Sequence, residues 1–309
     1  MGRRPALNPP GAERAFLRGL QASFPGWGGP EDLRWWFRRE VGGPVADLLL
    51  LVDGDHGPVA GAAVCHRRVS GLDDAGAGAA RVAILSGAWT DPHHRRQGCF
   101  RELVAHGREV AARRGAGALL AFAAAERAST PALTAAAAGV VGGWGLRTAG
   151  SAAPARPAAA SAFAPGRRPS AADLHRWFAA RPGAGMIYRD AAQFAVQARL
   201  RRRGTVVVPA GPGHWAIVEG GGGVARVHAV VSEDGRLTAA GWANAFAALA
   251  ASPPASVPLL GYTTRREVAG GLGGAVDASA ASVFVLPAGD TDPAPFLGAR
   301  WWLQGLDRA

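Results

Sequence analysis

Chemically capable side chains crowd into one stretch of the chain, Thr90-Asp91-Pro92-His93-His94-Arg95-Arg96-Gln97-Gly98-Cys99-Phe100-Arg101. Arg95, Arg96 and Arg101 supply guanidinium groups suited to phosphate oxygens. Gly98 lets the backbone approach such an anion closely, or take a conformation closed to other residues. Asp91, and Glu126 further along, are carboxylates able to accept a proton. His93 and His94 could hold a phosphate or a metal ion. Two adjacent histidines without further ligands at metal spacing favour neither, so no metal is expected. Cys99 has no nucleophile signature around it and reads as a small apolar loop residue.

The flanking elements decide what such a loop can do. Arg81 to Thr90 reads as a strand. From Phe100 onward, Phe100, Leu103, Val104, Val110 and Ala111 recur at helical spacing, with Arg101, Glu102, Arg108, Glu109 and Arg113 on the other face. The helix ends near Gly115, and Ala118 to Ala124 is another strand-like run. Strand, tight loop, helix, strand implies parallel strands in one sheet with the helix over one face. A loop leaving a strand and entering a helix points backbone N–H groups outward at the positive end of the helix dipole, where a diphosphate can sit.

Upstream, Met1 to Gly11 reads as a frayed basic segment. Helical patterns follow around Phe16 to Leu20 and over Glu31 to Glu40. Asp47 to Val52 and Val59 to Val69 form a hairpin across Asp53-Gly54-Asp55-His56-Gly57. Ser70 to Ala80 looks like a mobile surface loop.

In this setting the loop resembles that of the GNAT acetyltransferases, whose pattern is Arg/Gln-x-x-Gly-x-Gly/Ala. Pro92, Arg95, Gly98 and Leu103 match, whereas Phe100 stands where the last small residue is usual. The resemblance runs from Trp36 to Gly150. It implies acetyl-CoA as cosubstrate, with the diphosphate on Arg95, Arg96, Gln97, Gly98, Cys99, Phe100 and Arg101. Pantetheine is expected along the backbone of Ala88, Trp89 and Thr90, in a wedge between the strands that flank the helix. The implied reaction is transfer of an acetyl group to a primary amine, with Glu126 or Asp91 as the base. The tyrosine that many members place after the second strand of the motif is missing, since only Tyr188 and Tyr262 exist, both in the second half.

The second half repeats the pattern. A helix at Ala172 to Ala180 and a helix or strand at Ala191 to Leu200 precede a hairpin of Thr205 to Val208 with Trp215 to Val218. A strand at Val224 to Val231, a helix at Thr238 to Ala251 and strands at Val257 to Tyr262 and Ala281 to Leu286 follow. Its loop Ser232-Glu233-Asp234-Gly235-Arg236 is acidic and would repel a diphosphate. The expectation is an α/β (α+β) chain of two GNAT-like domains. Each is a mixed, mainly antiparallel sheet with a central parallel βαβ crossover flanked by helices. An acyl-CoA-binding domain spans residues 1–150, a linker rich in Ala, Pro and Arg spans 151–170, and a degenerate domain spans 171–309.

Composition bounds the partners. The 309 residues carry a formal charge of +11, but no lysine occurs and all 34 basic residues are arginine. That bias fits GC-rich coding better than a polyanion partner, so no nucleic acid is expected. Two cysteines and no long apolar run point to a cytoplasmic protein with no membrane contact. A non-catalytic acyl-CoA-binding sensor or interaction module is the alternative. The acceptor amine and the oligomeric state stay open.

Overall fold

The computed structural model describes residues 2–72, 78–124, 127–148, 168–198, 205–221, 224–251, 258–272 and 276–304. Residues 73–77 of the Ser70 to Ala80 loop and most of the 151–170 linker lie outside them, as does Glu126. The chain divides into two compact units, Met1–Val141 with Ser282–Ala299, and Gly142–Ala281 with Arg300–Arg308. Grouping by sequence places the last long strand in the second half, whereas its residues from Ser282 onward pack in the first unit.

The elements of the N-terminal stretch are β1 (Arg4–Leu7), α1 (Ala12–Ser23), α2 (Pro30–Phe37), β2 (Asp47–Asp53), β3 (Gly57–Ser70), β4 (Ala80–Thr90), α3 (Cys99–Arg113), β5 (Ala118–Ala124), α4 (Thr130–Ala136) and β6 (Gly139–Thr148). The expected frayed start is instead a strand. Arg4 to Leu7 pair antiparallel with Val52 to Leu49 of β2. Asn8, at φ 46°, then turns the chain. It exchanges hydrogen bonds with Leu48 and donates to the Asp47 carboxylate at 2.7 Å. Pro5 is tolerated because this is an edge strand.

Beyond β6 come α5 (Ala171–Ala179), β7 (Gly185–Ile187), α6 (Ala191–Ala198), β8 (Thr205–Pro209), β9 (His214–Gly221), β10 (Val224–Ser232), α7 (Ala239–Ala251), β11 (Leu259–Thr263), α8 (Arg266–Gly271), β12 (Val276–Pro287) and α9 (Ala294–Leu297). In the first unit the strands run in the order β1, β2, β3, β4, β5, β12, and β4 with β5 is the parallel pair. In the second the order is β6, β11, β10, β9, β8, and β10 with β11 is the parallel pair. Each parallel pair is joined through one crossover helix, α3 or α7.

The apolar stripe of α3, Cys99, Leu103, Val104, Val110 and Ala111, is buried against Leu49, Leu51, Val64, Ala83, Leu85, Leu119 and Ala121. Burial of each large aliphatic side chain there contributes about 1.5–3 kcal/mol. Phe284, Leu286 and Ala288 complete that core from the far end of the chain. The second core gathers around Val227, Val230, Leu237, Trp242, Phe246 and Trp302.

Candidate functional site

The site begins with a defect in β4. Opposite β3, Gly61 pairs with Trp89 but Ala63 pairs with Ser86, so β4 carries an extra residue there. Gly87 takes φ 57° at this bulge, a conformation L side chains rarely adopt. The bulge flips the faces of the strand. Ala83, Leu85 and then Ala88 face the α3 core, while Gly87 and Trp89 face Phe16, Phe37 and Gly19 of the first helices.

Just past the bulge the parallel pair opens. Pairing between β4 and β5 ends at Leu85 with Ala121, although β4 runs on to Thr90 and β5 to Ala124. Ala88, Trp89 and Thr90 lie on the part of β4 beyond this last pair.

The second unit repeats the device. Its crossover strand carries a bulge between Val227 and Ala229, and Ala225, Val227 and Val230 face its core at the spacing of Ala83, Leu85 and Ala88. Here the chain fills its own wedge. The Gln304 side-chain amide accepts from the Val230 N–H at 2.8 Å and donates to the Val230 carbonyl at 3.3 Å. Gln304 also bridges Thr263 of β11. Beyond β10, Asp234 accepts from Ser232 and from the Arg236 N–H, closing the acidic turn on itself.

From β4 of the first unit the chain enters a short 3-10 turn, Pro92–His94, capped by Asp91, whose carboxylate accepts from the His93 N–H at 2.9 Å. That bond, helped by His94, holds the Asp91 carboxyl below its ordinary range. Arg95, Arg96 and Gln97 are exposed, and Arg96 adopts φ 63°. Gly98 caps α3 at φ 83°. The first backbone bond of α3 runs from the Glu102 N–H to the Gly98 carbonyl, so the N–H groups of Cys99, Phe100 and Arg101 have no intrahelical acceptor. A Cβ on Gly98 would touch only the Arg101 guanidinium, at 3.6 Å, which leaves open space over the helix end.

Among the described residues Arg95, Arg96 and Arg101 make no ion pair with a carboxylate. Glu102, the acidic residue nearest the helix end, is neutralised by Arg3 at 2.6 Å, and Arg3 also donates to the Gln97 carbonyl at 2.6 Å. Sequence reading missed Arg3, because nothing in a basic N-terminal segment marks its partner across 94 or 99 residues. Cys99 is buried with its Sγ on the His94 carbonyl, and burial pushes its thiol up, away from nucleophilic chemistry. Phe100, the departure from the GNAT pattern, packs against the core rather than over the loop.

Below this loop opens a cleft of about 450 Å³ lined by His56, Pro58, Val59, Asp91, His93 and His94. One ligand atom each from Asp53, His56 and His94 lies within 4.8 Å of the others. No helix among the described residues is long and apolar enough to cross a membrane.

No protein-family profile matches the chain, and no curated protein sequence does. Solved structures do. A GCN5-related N-acetyltransferase from Kribbella flavida superposes with TM-score 0.56 at 13% identity, covering 91% of this chain and 71% of its own. A tandem GNAT protein from the clavulanic acid biosynthesis pathway gives TM-score 0.56 at 16% identity, covering 94% of this chain and 100% of its own. A GCN5-related N-acetyltransferase from Anabaena variabilis gives TM-score 0.53 at 10% identity, over 91% and 72% of the two chains. The chain has the GNAT fold, and its likeness to a tandem member extends nearly end to end.

Proposed function

We propose that the first unit binds an acyl-CoA, acetyl-CoA foremost, and transfers its acyl group to a primary amine. One observation carries the reading. A bulged strand that parts from its parallel neighbour runs directly into a glycine-capped helix N-terminus whose first N–H groups have no intrahelical acceptor and whose flanking arginines make no ion pair with a carboxylate among the described residues, Arg95 donating only to the Thr90 carbonyl. The diphosphate would lie on the loop from Arg95 to Arg101, on the N–H groups of Cys99, Phe100 and Arg101 and the guanidinium groups beside them. Pantetheine amides would pair with the backbone of Ala88, Trp89 and Thr90 as an added strand does. The second unit supports this assignment by analogy, since Gln304 supplies a side-chain amide to Val230, the counterpart of Ala88.

In the reaction the neutral amine nitrogen attacks the thioester carbonyl carbon. A backbone N–H at the bulge steadies the oxyanion, the C–S bond breaks, and the thiolate leaves and takes up a proton. The proton lost by the amine passes to Glu126 or Asp91. Asp91 is a weakened base, because its carboxylate is engaged by His93 and held low.

Titration calorimetry with acetyl-CoA, then CoA-thiol release over a panel of amines, tests the proposal. Saturable binding with turnover on any amine is expected. Absence of acetyl-CoA binding refutes it. Binding without turnover across a broad panel favours the second reading, an acyl-CoA sensor. That reading draws on Tyr188 and Tyr262, which both lie in the second unit and are 7% and 2% exposed. A nucleic-acid role predicts steep salt dependence of DNA or RNA binding.

A further inference from the structure

We propose that Asp53, His56 and His94 form a binding site for a divalent d-block cation, zinc foremost, pinning the β2–β3 turn to the loop that leads into α3. The donor set is drawn from elements fixed by the sheet. Asp53 ends β2, His56 closes the short 3-10 turn Gly54–His56 before β3, and His94 sits in the turn after β4. Because β2, β3 and β4 are consecutive neighbours in the sheet, these ends converge without any long side chain reaching across.

The spacing suits one ion. The Nε2 of His94 and the Oδ2 of Asp53 are 3.7 Å apart. Ligands on a tetrahedral zinc with bonds of about 2.0–2.2 Å lie about 3.4 Å from one another. His56 brings its ring to 5.7 Å from that of His94 at 66°, so the two imidazoles present edges rather than stacked faces.

A second observation orients the ligand. The Nδ1 of His94 faces Asp91 Oδ1 at 3.3 Å, and Asp91 is itself fixed by the His93 N–H. Carboxylate behind histidine is the outer shell that metal-binding imidazoles use to set their tautomer. With Nδ1–H donating to Asp91, the ring presents its Nε2 toward the Asp53 carboxylate. A ring nitrogen and a carboxylate oxygen at that separation can share one cation between them. The donors are one carboxylate and imidazole nitrogens, a set that favours zinc, cobalt or nickel over magnesium or calcium. The adjoining cleft leaves room for water at the remaining positions.

This departs from the sequence expectation of no metal, which weighed His93 with His94 and did not place Asp53 or His56 beside them. It shares Asp91 with the acyl-transfer reading, but its test reads cation binding alone and so stands or falls separately from acetyl-CoA binding.

The full chain, freed of metal with chelator, is titrated with zinc by calorimetry and with cobalt by visible absorption. One ion per chain and a cobalt d–d band are expected. His56→Ala, on an exposed turn where folding is not at stake, and His94→Gln should each weaken zinc by at least about tenfold, and Asp91→Asn by about tenfold through the lost outer shell. His106→Ala, whose side chain pairs with Glu109 on α3, should bind as the unaltered chain does. Circular dichroism verifies that each variant is folded. The proposal is overturned if neither metal binds saturably, or if zinc affinity survives both His56→Ala and His94→Gln.

Discussion

Trp89 lays its indole against the bare backbone of Gly19, in the middle of α1, so that a Cβ on that glycine would clash with the Cε2, Cδ2 and Cζ2 atoms of the indole. Glycine in a helix interior ordinarily costs about 1 kcal/mol relative to alanine. Here the sign reverses. Gly19→Ala should destabilise the protein by about 1–3 kcal/mol through overpacking, and chemical denaturation would measure it. Because Trp89 follows the β4 bulge, acetyl-CoA affinity should fall in the same variant. A stabilised Gly19→Ala would mean that Trp89 does not fix the wedge.

Gly98 separates binding from folding. Its φ of 83° makes any side chain there strained, yet the space is open. Gly98→Ala should cost about 1 kcal/mol of stability. Gly98→Asp adds charge at the helix end, and should reduce acetyl-CoA affinity by at least about 30-fold, or about 2 kcal/mol, while keeping the circular dichroism spectrum. Equal affinity in the Asp and Ala variants would remove the diphosphate from this loop.

Arg3 should act on the same anion indirectly. Without it, Glu102 stands unpaired in the first turn of α3. Arg3→Ala is expected to weaken acetyl-CoA by about two- to fivefold at low salt. Adding Glu102→Gln should return most of the loss, a rescue readable in a double-mutant cycle. If the second substitution lowers affinity further, Glu102 is not the source of the effect.

Asp47 sets the acid limit. It is 2% exposed and accepts from Asn8, from His66 and twice from Arg114 at 2.8 Å. Burial alone would raise its pKa, but the bonds from His66, Arg114 and Asn8 prevail and hold the carboxyl well below its ordinary 3.8. A carboxyl lowered in the folded state stabilises the protein above its unfolded pKa. That contribution fades as pH drops below about 4 toward the folded value. Asp47→Asn should cost about 2–4 kcal/mol at pH 7 and flatten the acid limb of the stability profile. Parallel profiles for both proteins would refute the assignment.

What the sequence made legible follows the strength of its local signals. From β3 through β5 the elements stand out as long apolar runs and one helical stripe, each complete within its own segment. β1 did not, because four residues with a proline, mostly exposed, carry no alternation. The loop of Arg95 to Arg101 was visible as a motif, whereas the Gly87 bulge was not, since glycine within a strand signals a bulge without its register. Asp53, His56 and His94 are joined only by the adjacency of β2, β3 and β4, a relation that local spacing does not encode. The same holds for Gln304, whose partner Val230 lies 74 residues away. An apolar run like Ser282 to Leu286 announces a strand but not the sheet that will take it.

That run has a temporal meaning. Phe284, Leu286 and Ala288 close the core beneath α3, yet a ribosome synthesises them well over a hundred residues after α3 itself. The first unit must therefore wait, incomplete, until the chain past Ser282 is made. A chain stalled before Ser282 would carry the loop of Arg95 to Arg101 on a unit missing its last strand.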